Sequence, residues 1–242
     1  MEENERNISP FPAPFRDPMT RRESIGAWAY LPIHAAVFPL LLNLLSAHWP
    51  DGSLSETGLN IFYYAFGAAF MLIFLWRYFR RGFDVPAEHP FGFMFTLLLA
   101  YFIAAISAWA VQLMALAIGA DLANPPNNET VMNMAGKGFN AVFAISVFLA
   151  PIVEEPIFRG AVFGTIYKRS RYAAYAVSTL LFSLYHVWQF AVVYADPSYL
   201  VYMLNYVPAS VALAYAYERS GSIWAPMALH AFINASSMLM LK

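Results

Sequence analysis

Residues 139–167 read FNAVFAISVFLAPIVEEPIFRGAVFGTIY, an apolar run long enough to cross a lipid bilayer as one helix. Within it lies EEPIFRG, residues 154–160, which carries two adjacent carboxylates and a guanidinium. A charged side chain at the centre of a membrane helix costs about 2.5–3.5 kcal/mol on insertion scales, and such residues commonly mark functional sites. The stretch therefore predicts a membrane fold and a functional site inside it.

The composition of the whole chain also indicates a membrane protein. Of 242 residues, 60% are hydrophobic and 12% are charged, whereas a soluble domain carries about 25% charged residues. The formal net charge of −1 gives no indication of a nucleic-acid partner. The chain has no cysteine, which excludes disulfides, thiolate metal sites and a cysteine nucleophile.

Apolar windows of bilayer-spanning length predict an all-α, polytopic integral membrane bundle of about seven transmembrane helices. Their length favours helices over the short strands of a membrane barrel. Residues 1–24 are polar and rich in proline, so we expect a flexible cytoplasmic tail, followed by a membrane domain over residues 25–242. The predicted spans lie near residues 25–47, 59–79, 91–118, 139–167, 172–194, 199–217 and 222–241.

The distribution of basic residues predicts the orientation. With the amino terminus in the cytoplasm and the carboxy terminus outside, the outer segments hold Lys137 and Lys242, and Arg159 lies within a helix. This asymmetry follows the positive-inside rule and predicts a multi-pass protein of a cell membrane, most simply a bacterial one. The loop 119–138 is then the longest outer connection and can accommodate a short interfacial helix. The inner segments hold Arg6, Arg16, Arg21, Arg22, Arg77, Arg80, Arg81, Lys168, Arg169, Arg171 and Arg219.

Polar side chains on three predicted helices lie at a similar depth in the membrane. Counting helical rise from the nearest inner basic residue places them ~16–23 Å from the cytoplasmic loops. Their common depth predicts a shared polar cavity. The residues are Glu154, Glu155, His186, His230 and Asn234.

Helical spacing separates the two glutamates. Glu155 and Arg159 are four residues apart, so they share a face and can form a structural ion pair. Glu154 is rotated by about 140° from Arg159, which leaves it available for chemistry. Pro151 and Pro156 bracket the glutamates, and a kink at either could open a wet pocket or serve packing alone. Gly160 and Gly164 form GxxxG, which predicts a close helix contact.

Three motifs on successive helices together resemble the CPBP family, the type II CAAX prenyl endopeptidases and their bacterial relatives linked to bacteriocin processing and self-immunity (ABI). They are EExxxR at Glu154, Glu155 and Arg159, FxxxH at Phe182 and His186, and HxxxN at His230 and Asn234. The resemblance covers roughly residues 138–242, the predicted catalytic core. It implies an all-helical intramembrane protease whose cavity opens toward the cytoplasm. The implied catalytic residues are Glu154, His186, His230 and Asn234, with Glu155, Arg159 and Phe182 in support.

The same residues can hydrolyse a peptide bond. Glu154 can take a proton from water while His186 positions that water, and His230 and Asn234 can donate hydrogen bonds to the oxyanion. Ser178 and Ser183 lie on the helix of His186, but no serine lies within the motifs in an evident triad. A covalent route is therefore the weaker hypothesis.

Metal dependence stays open at this point. Glu154, His186 and His230 are a sufficient ligand set for zinc or another divalent metal, and the family is often described as metalloproteases. However, the His-x-x-x-His pairing of helix-borne zinc proteases is absent, and a glutamate-activated water needs no metal.

Two functions other than proteolysis fit the same residues. Buried glutamate, histidine, arginine and asparagine also build proton-coupled transporters, although such proteins more often show inverted repeats. A non-proteolytic immunity or scaffold role is the other alternative. The expected partners are the lipid bilayer and a membrane-associated peptide or protein substrate.

Overall fold

The computed structural model describes residues 15, 17–48, 55–123 and 125–240, with Glu56 described by its backbone alone. This part of the chain is helical and contains no β-strand, which confirms the all-α fold class. The helices are α1 (Arg21–His48), α2 (Glu56–Phe74), α3 (Trp76–Glu88), α4 (Pro90–Ala117), α5 (Pro126–Tyr167), α6 (Arg171–Val193), a 3-10 segment (Pro197–Asn205), α7 (Val207–Ser220) and α8 (Trp224–Met240).

The predicted number of seven spans is not confirmed. Within the described ranges, 5 helices are long and apolar enough to cross a membrane: α1, α2, α4, α5 and α6. The number rises to 6 if the 3-10 segment and α7, which are bent by 47° relative to each other, form one span. Helix α8 has 17 residues, the lower end of the length that a spanning helix needs. Lys242, predicted to be external, lies outside the described residues.

The second predicted span, residues 59–79, ends earlier than expected. Helix α2 stops at Phe74, Leu75 leaves the helical conformation with φ −103° and ψ 17°, and α3 begins at Trp76. Helix α3 is amphipathic: Tyr78, Phe79 and Gly82 are buried, while its arginines are exposed. The break allows the arginines to leave the apolar span. A hydropathy window cannot detect it because both helices are rich in aromatic residues.

Helix α5 forms the centre of the bundle. Its most apolar window is 61% buried, compared with 17–22% for the other spanning helices, whose remaining surface is available to lipid. The helix starts at Pro126, so the predicted loop 119–138 contains its first turns. Gly138 interrupts the helical geometry with φ −172° and ψ 72°, which separates this first part from the core-forming part.

The described residues before α1, residues 15 and 17–20, pack on the bundle, and α1 starts at Arg21, within the predicted tail over residues 1–24. Thr20 caps α1 through a reciprocal capping box with Glu23, which fixes the helix start at Arg21. The buried Asp17 carboxylate accepts hydrogen bonds from the Tyr217 hydroxyl (2.9 Å) and the Met19 N–H (3.0 Å). Residues 1–14 of the predicted tail lie outside the described residues.

The GxxxG pair contacts this amino-terminal segment. A Cβ at Gly160 would lie 2.5 Å from Met19 Cε, and one at Gly164 would lie 2.5 Å from Asp17 Cγ. The close approach that the motif predicts is therefore present. The nearest contacts come from Met19 and Asp17 in the chain just before α1, and Gly160 also approaches Tyr78 on α3.

A carboxylate joins three helices at the end of the bundle that carries most basic residues. Glu218 on α7 accepts hydrogen bonds from Tyr167 on α5 (2.8 Å) and Tyr175 on α6 (2.6 Å). Arg171 at the start of α6 forms a bidentate pair with it at 2.6 and 3.0 Å. This network holds α5, α6 and α7 in fixed relative positions and thereby supports the polar residues deeper in the bundle.

Candidate active site

A cavity of about 560 Å³ lies in the bundle, and the predicted polar residues converge on it. Glu154 reaches it from α5, His186 from α6, and His230 and Asn234 from α8. The structure thus brings together all four side chains that were predicted to be catalytic. Glu155 and Arg159 do not line the cavity; both are 0% exposed and lie behind its wall.

The backbone around the glutamates departs from regular α-helix. Residues Ile145–Leu149 and Pro156–Phe163 are π-helical, and they enclose the short α-helical piece Ala150–Glu155. Pro156, which has no N–H to donate, begins the second π-helical stretch. The irregularity expected at the prolines is thus a pair of π-helical stretches, a feature that recurs at functional sites.

Glu154 and His186 face each other across the cavity wall. Glu154 Oε2 lies 3.7 Å from His186 Nε2, and within the described residues this oxygen has no hydrogen-bond partner. His186 Nδ1 lies 2.8 Å from the carbonyl oxygen of Phe182. Because a carbonyl can only accept, Nδ1 carries the proton, and in the neutral ring Nε2 is an acceptor. Two acceptors 3.7 Å apart provide a place for a water that donates to both.

The second glutamate belongs to a different network. Glu155 Oε2 lies 3.3 Å from Arg159 Nε, and its Oε1 lies 2.7 Å from His230 Nδ1. The predicted pairing of Glu155 with Arg159 is present, but the contact with His230 was not predicted. Glu155 therefore orients one of the cavity's histidines while its own charge is neutralised by the arginine.

Arg159 is enclosed on several sides. Its Nη2 donates to the Ser210 carbonyl oxygen at 3.3 Å and to Ser210 Oγ at 3.1 Å on α7. The guanidinium carbon lies 4.2 Å from the centroid of the Phe182 ring, a cation–π contact with α6. Phe182 thus has a structural part in the site, since it covers Arg159 and its carbonyl fixes the proton of His186.

The two α8 residues retain donor capacity toward the cavity. His230 contacts Glu155 through Nδ1. Its Nε2 takes no part in that contact and can donate a hydrogen bond when the ring is an imidazolium. Asn234 donates one Nδ2 proton to the Ser146 carbonyl oxygen at 2.8 Å, which leaves the second proton of the amide. Together they supply two donors of the kind that stabilise an oxyanion.

Tyrosines complete the site, and the sequence analysis did not identify them. The Tyr206 ring stacks on His186, with ring centroids 4.4 Å apart and an interplanar angle of 24°. Tyr64 lines the cavity and interacts with the Glu154 carboxylate. Tyr185 lines the cavity as well and contacts His34 Nε2 at 3.1 Å. His34 is fully buried. No sequence signal identified these tyrosines, because aromatic residues are common throughout these spans.

Neither serine near His186 is arranged as a nucleophile. Ser178 Oγ donates to the Phe158 carbonyl oxygen at 2.8 Å. Ser183 is 0% exposed and does not line the cavity. The geometry favours an activated water over a covalent route.

The candidate metal ligands do not form a metal site. Within the described residues, no group of three His, Asp or Glu side chains is arranged to hold a metal ion. The described side chains therefore do not fit the Glu154, His186 and His230 ligand set.

Comparison with known proteins gives a match over the part of the chain that contains these residues. Residues 137–236 match the family model described as "Type II CAAX prenyl endopeptidase Rce1-like". A protein of Bacillus subtilis (strain 168) named "Putative membrane peptidase YdiL" is 30% identical over 97 residues, or 40% of this chain. The aligned region is 35% of that protein, so the chain spans about a third of the length of the curated relative it matches. No solved structure matches the chain.

Proposed function

We propose that this chain, whose residues 137–236 match the type II CAAX prenyl endopeptidase family model, is an intramembrane endopeptidase of that kind. The substrate is a membrane-associated peptide or protein, and water is the nucleophile. The observation that carries the proposal is the buried, unpaired Glu154 oxygen that faces His186 Nε2 in a cavity. The names of the matching family and relative point to the same reaction class.

The first step uses Glu154 and His186. A water placed between Glu154 Oε2 and His186 Nε2 donates a hydrogen bond to each, which directs an oxygen lone pair into the cavity. The water oxygen attacks the substrate carbonyl carbon as one of its protons moves to Glu154. The result is a tetrahedral intermediate with a negative oxygen.

The second step uses α8 and the same glutamate. His230 Nε2–H and the second Asn234 amide proton donate to the oxyanion. Glu155 stabilises the protonated ring through the contact at Nδ1. The intermediate then collapses, the C–N bond breaks, and Glu154 returns its proton to the leaving amine. Atoms and charge balance without a metal or a covalent enzyme intermediate.

Replacement of the proposed base tests this function. Glu154→Gln keeps the shape of the side chain but removes its basicity, so cleavage of a peptide library by the purified protein should fall by about 10²–10⁴-fold. The melting temperature in detergent should be retained. Glu88→Gln, at an exposed glutamate on α3, is the matched control and should cleave normally.

Two other results would contradict the assignment. If Glu154→Gln cleaves as fast as the wild type, Glu154 is not the base. If wild-type protein that is folded and monodisperse cleaves no member of the library, the non-proteolytic immunity or scaffold role becomes the better hypothesis.

A chelator tests the metal alternative. The ligand geometry leads us to expect that EDTA leaves cleavage unchanged and that the purified protein carries no stoichiometric zinc. Zinc at about one equivalent per chain, together with activity lost to chelation and restored by the metal, would overturn the metal-free mechanism.

A further inference from the structure

Most of the cavity extends from Glu154 away from the basic end of the bundle. On each helix that lines it, most of the lining residues lie in the half of the helix that is distant from the basic residues. Gln189 on α6 is 18 residues from Arg171, so it lies roughly 27 Å from that arginine along the helix axis, and Asn60 lies near the start of α2, at the opposite end from the arginines of α3. The exposed lining residues Asn43, Asn128 and Ser237 lie at the opposite end of the molecule, so the cavity opens there.

The basic residues are distributed unequally between the two ends. Among the described residues, Lys137 is the only Lys or Arg near the cavity end, where Asp121, Glu129 and Asp196 also lie. The positive-inside rule assigns the basic end to the cytoplasm. Residues at the basic end are Arg21, Arg22, Arg77, Arg80, Arg81, Lys168, Arg169, Arg171 and Arg219.

These two observations conflict with one implication of the family resemblance. A cavity that opens toward the cytoplasm would place nine described basic residues on the external side. In the orientation that the charges favour, the same cavity opens outward.

The chemistry of the cavity wall indicates how a substrate is held. Amide side chains of Asn43, Asn60, Asn127, Asn128 and Gln189 are among the lining residues. Such groups both donate and accept, as an extended peptide backbone requires. Within the described part of the chain, no Lys or Arg lines the cavity to bind a free terminal carboxylate, and the protonated ring of His230 is held by Glu155 and directed at the oxyanion.

We infer that the cavity receives uncharged peptide segments from the external face of the membrane and cleaves them at an internal bond. This inference rests on the proposed proteolytic function and specifies its substrate class. The substrate would be an exported or externally exposed segment, recognised through its backbone.

Single cysteines test the orientation without requiring activity, because the natural chain has none. Asn128→Cys lies at the cavity mouth and is exposed, and Ala87→Cys is an exposed, uncharged position at the basic end. In intact cells, a membrane-impermeant maleimide should label Asn128→Cys, whereas Ala87→Cys should react only after permeabilisation. The reverse pattern would overturn the inference whether or not the protein is a protease.

Sided membrane vesicles test substrate access. Impermeant fluorogenic peptides should be cleaved by right-side-out vesicles, and inverted vesicles should become active only when detergent is added. Cleavage by intact inverted vesicles alone would overturn the inference and leave the proposed function standing. Absence of cleavage even in detergent would instead contradict the proposed function, and cysteine labelling would still decide which way the cavity opens.

Peptide pairs test recognition of the substrate. Peptides of the same sequence with a free or an amidated carboxy terminus should be cleaved at equal rates in detergent. A strong preference for the free carboxylate would show that a cation binds it and would overturn the internal-segment assignment.

Discussion

Arg159 neutralises a carboxylate that the site needs to hold His230. The guanidinium is fully buried, and Glu155 carries its compensating charge. Arg159→Ala leaves that charge unpaired and should lower the free energy of unfolding by about 3–5 kcal/mol. Thermal melting in detergent and the rate of peptide cleavage should both fall. Arg169→Ala, at an exposed arginine, is the matched control and should melt like the wild type.

A double variant separates lost charge balance from lost packing. Glu155→Gln combined with Arg159→Gln leaves no uncompensated charge, and the side-chain carbonyl oxygen introduced by Glu155→Gln can still accept from His230. We expect this variant to recover part of the stability lost in Arg159→Ala. If Glu155→Gln alone is stable but inactive while Glu154→Gln is destabilised, the roles of the two glutamates are exchanged.

For single residues, contacts within one helix could be predicted from the sequence, whereas contacts between helices could not. The spacing of Glu155 and Arg159 predicted their pairing, because it depends only on helical geometry. The contact between Glu155 and His230 depends on the rotation of α8 against α5. Tyr206 and Tyr64 were not predicted for a similar reason, since tyrosines in apolar spans have many roles and only the packed structure shows which ones touch the site.

The π-helical stretch at Pro156–Phe163 sets the angle between Glu155 and the residues that follow. A π turn holds more residues than an α turn, so regularising it would rotate the chain on one side of the turn relative to the other. Pro156→Ala restores an N–H that can support an α turn. We expect a strong loss of cleavage with little change in melting temperature. Pro226→Ala, in the first turn of α8 where no helical bond is displaced, is the control.

The close packing at Gly160 gives a second prediction for α5. Gly160→Ala would bring its Cβ to 2.5 Å from Met19 Cε and 2.9 Å from the Tyr78 hydroxyl. Overpacking of this kind costs about 1–3 kcal/mol, which melting in detergent should show as a lower transition temperature. Gly136→Ala meets nothing within 4 Å and should not destabilise the protein. Adding Met19→Ala to Gly160→Ala should relieve part of the cost; if it does not, the amino-terminal segment is not the obstacle.

Hydropathy located the helices well but missed how they are interrupted. The predicted spans correspond to helices throughout the described chain, because long apolar runs need helical hydrogen bonding in a bilayer. The break at Leu75 and the irregular backbone at Gly138 depend on local backbone geometry and packing, which a hydropathy average over a window does not report.

Asp17 connects the amino-terminal segment to two helices across the whole fold. Burial raises its pKa above the ordinary 3.8, and the hydrogen bonds from Met19 and Tyr217 and the charge of Lys168 only partly oppose this. The folded protein therefore favours the protonated carboxyl. Its contribution to stability is complete below the ordinary pKa and is lost as pH rises through the folded value.

The sign of this shift predicts the behaviour of a neutral variant. At neutral pH, Asp17→Asn should melt no lower than the wild type, and its stability should depend less on pH between 3.8 and neutrality. Melting temperatures across that range provide the measurement, with Asp84→Asn at an exposed aspartate as control. An Asp17→Asn variant that melts well below the wild type at neutral pH would show that the ion pair with Lys168 outweighs burial.

The order in which the chain is synthesised gives the pairing of Glu155 with Arg159 a further consequence. Helix α5 emerges from the ribosome before α7 and α8, so Ser210 and His230 do not yet exist when α5 must enter the membrane. An arginine four residues from its carboxylate can neutralise it within the same nascent helix. When α7 and α8 are added, Ser210 and His230 contact an ion pair whose charges already compensate each other. If the arginine were moved to another helix, the folded site could keep the same ion pair. During biogenesis, however, α5 would carry both carboxylates unpaired and should insert into the membrane far less efficiently.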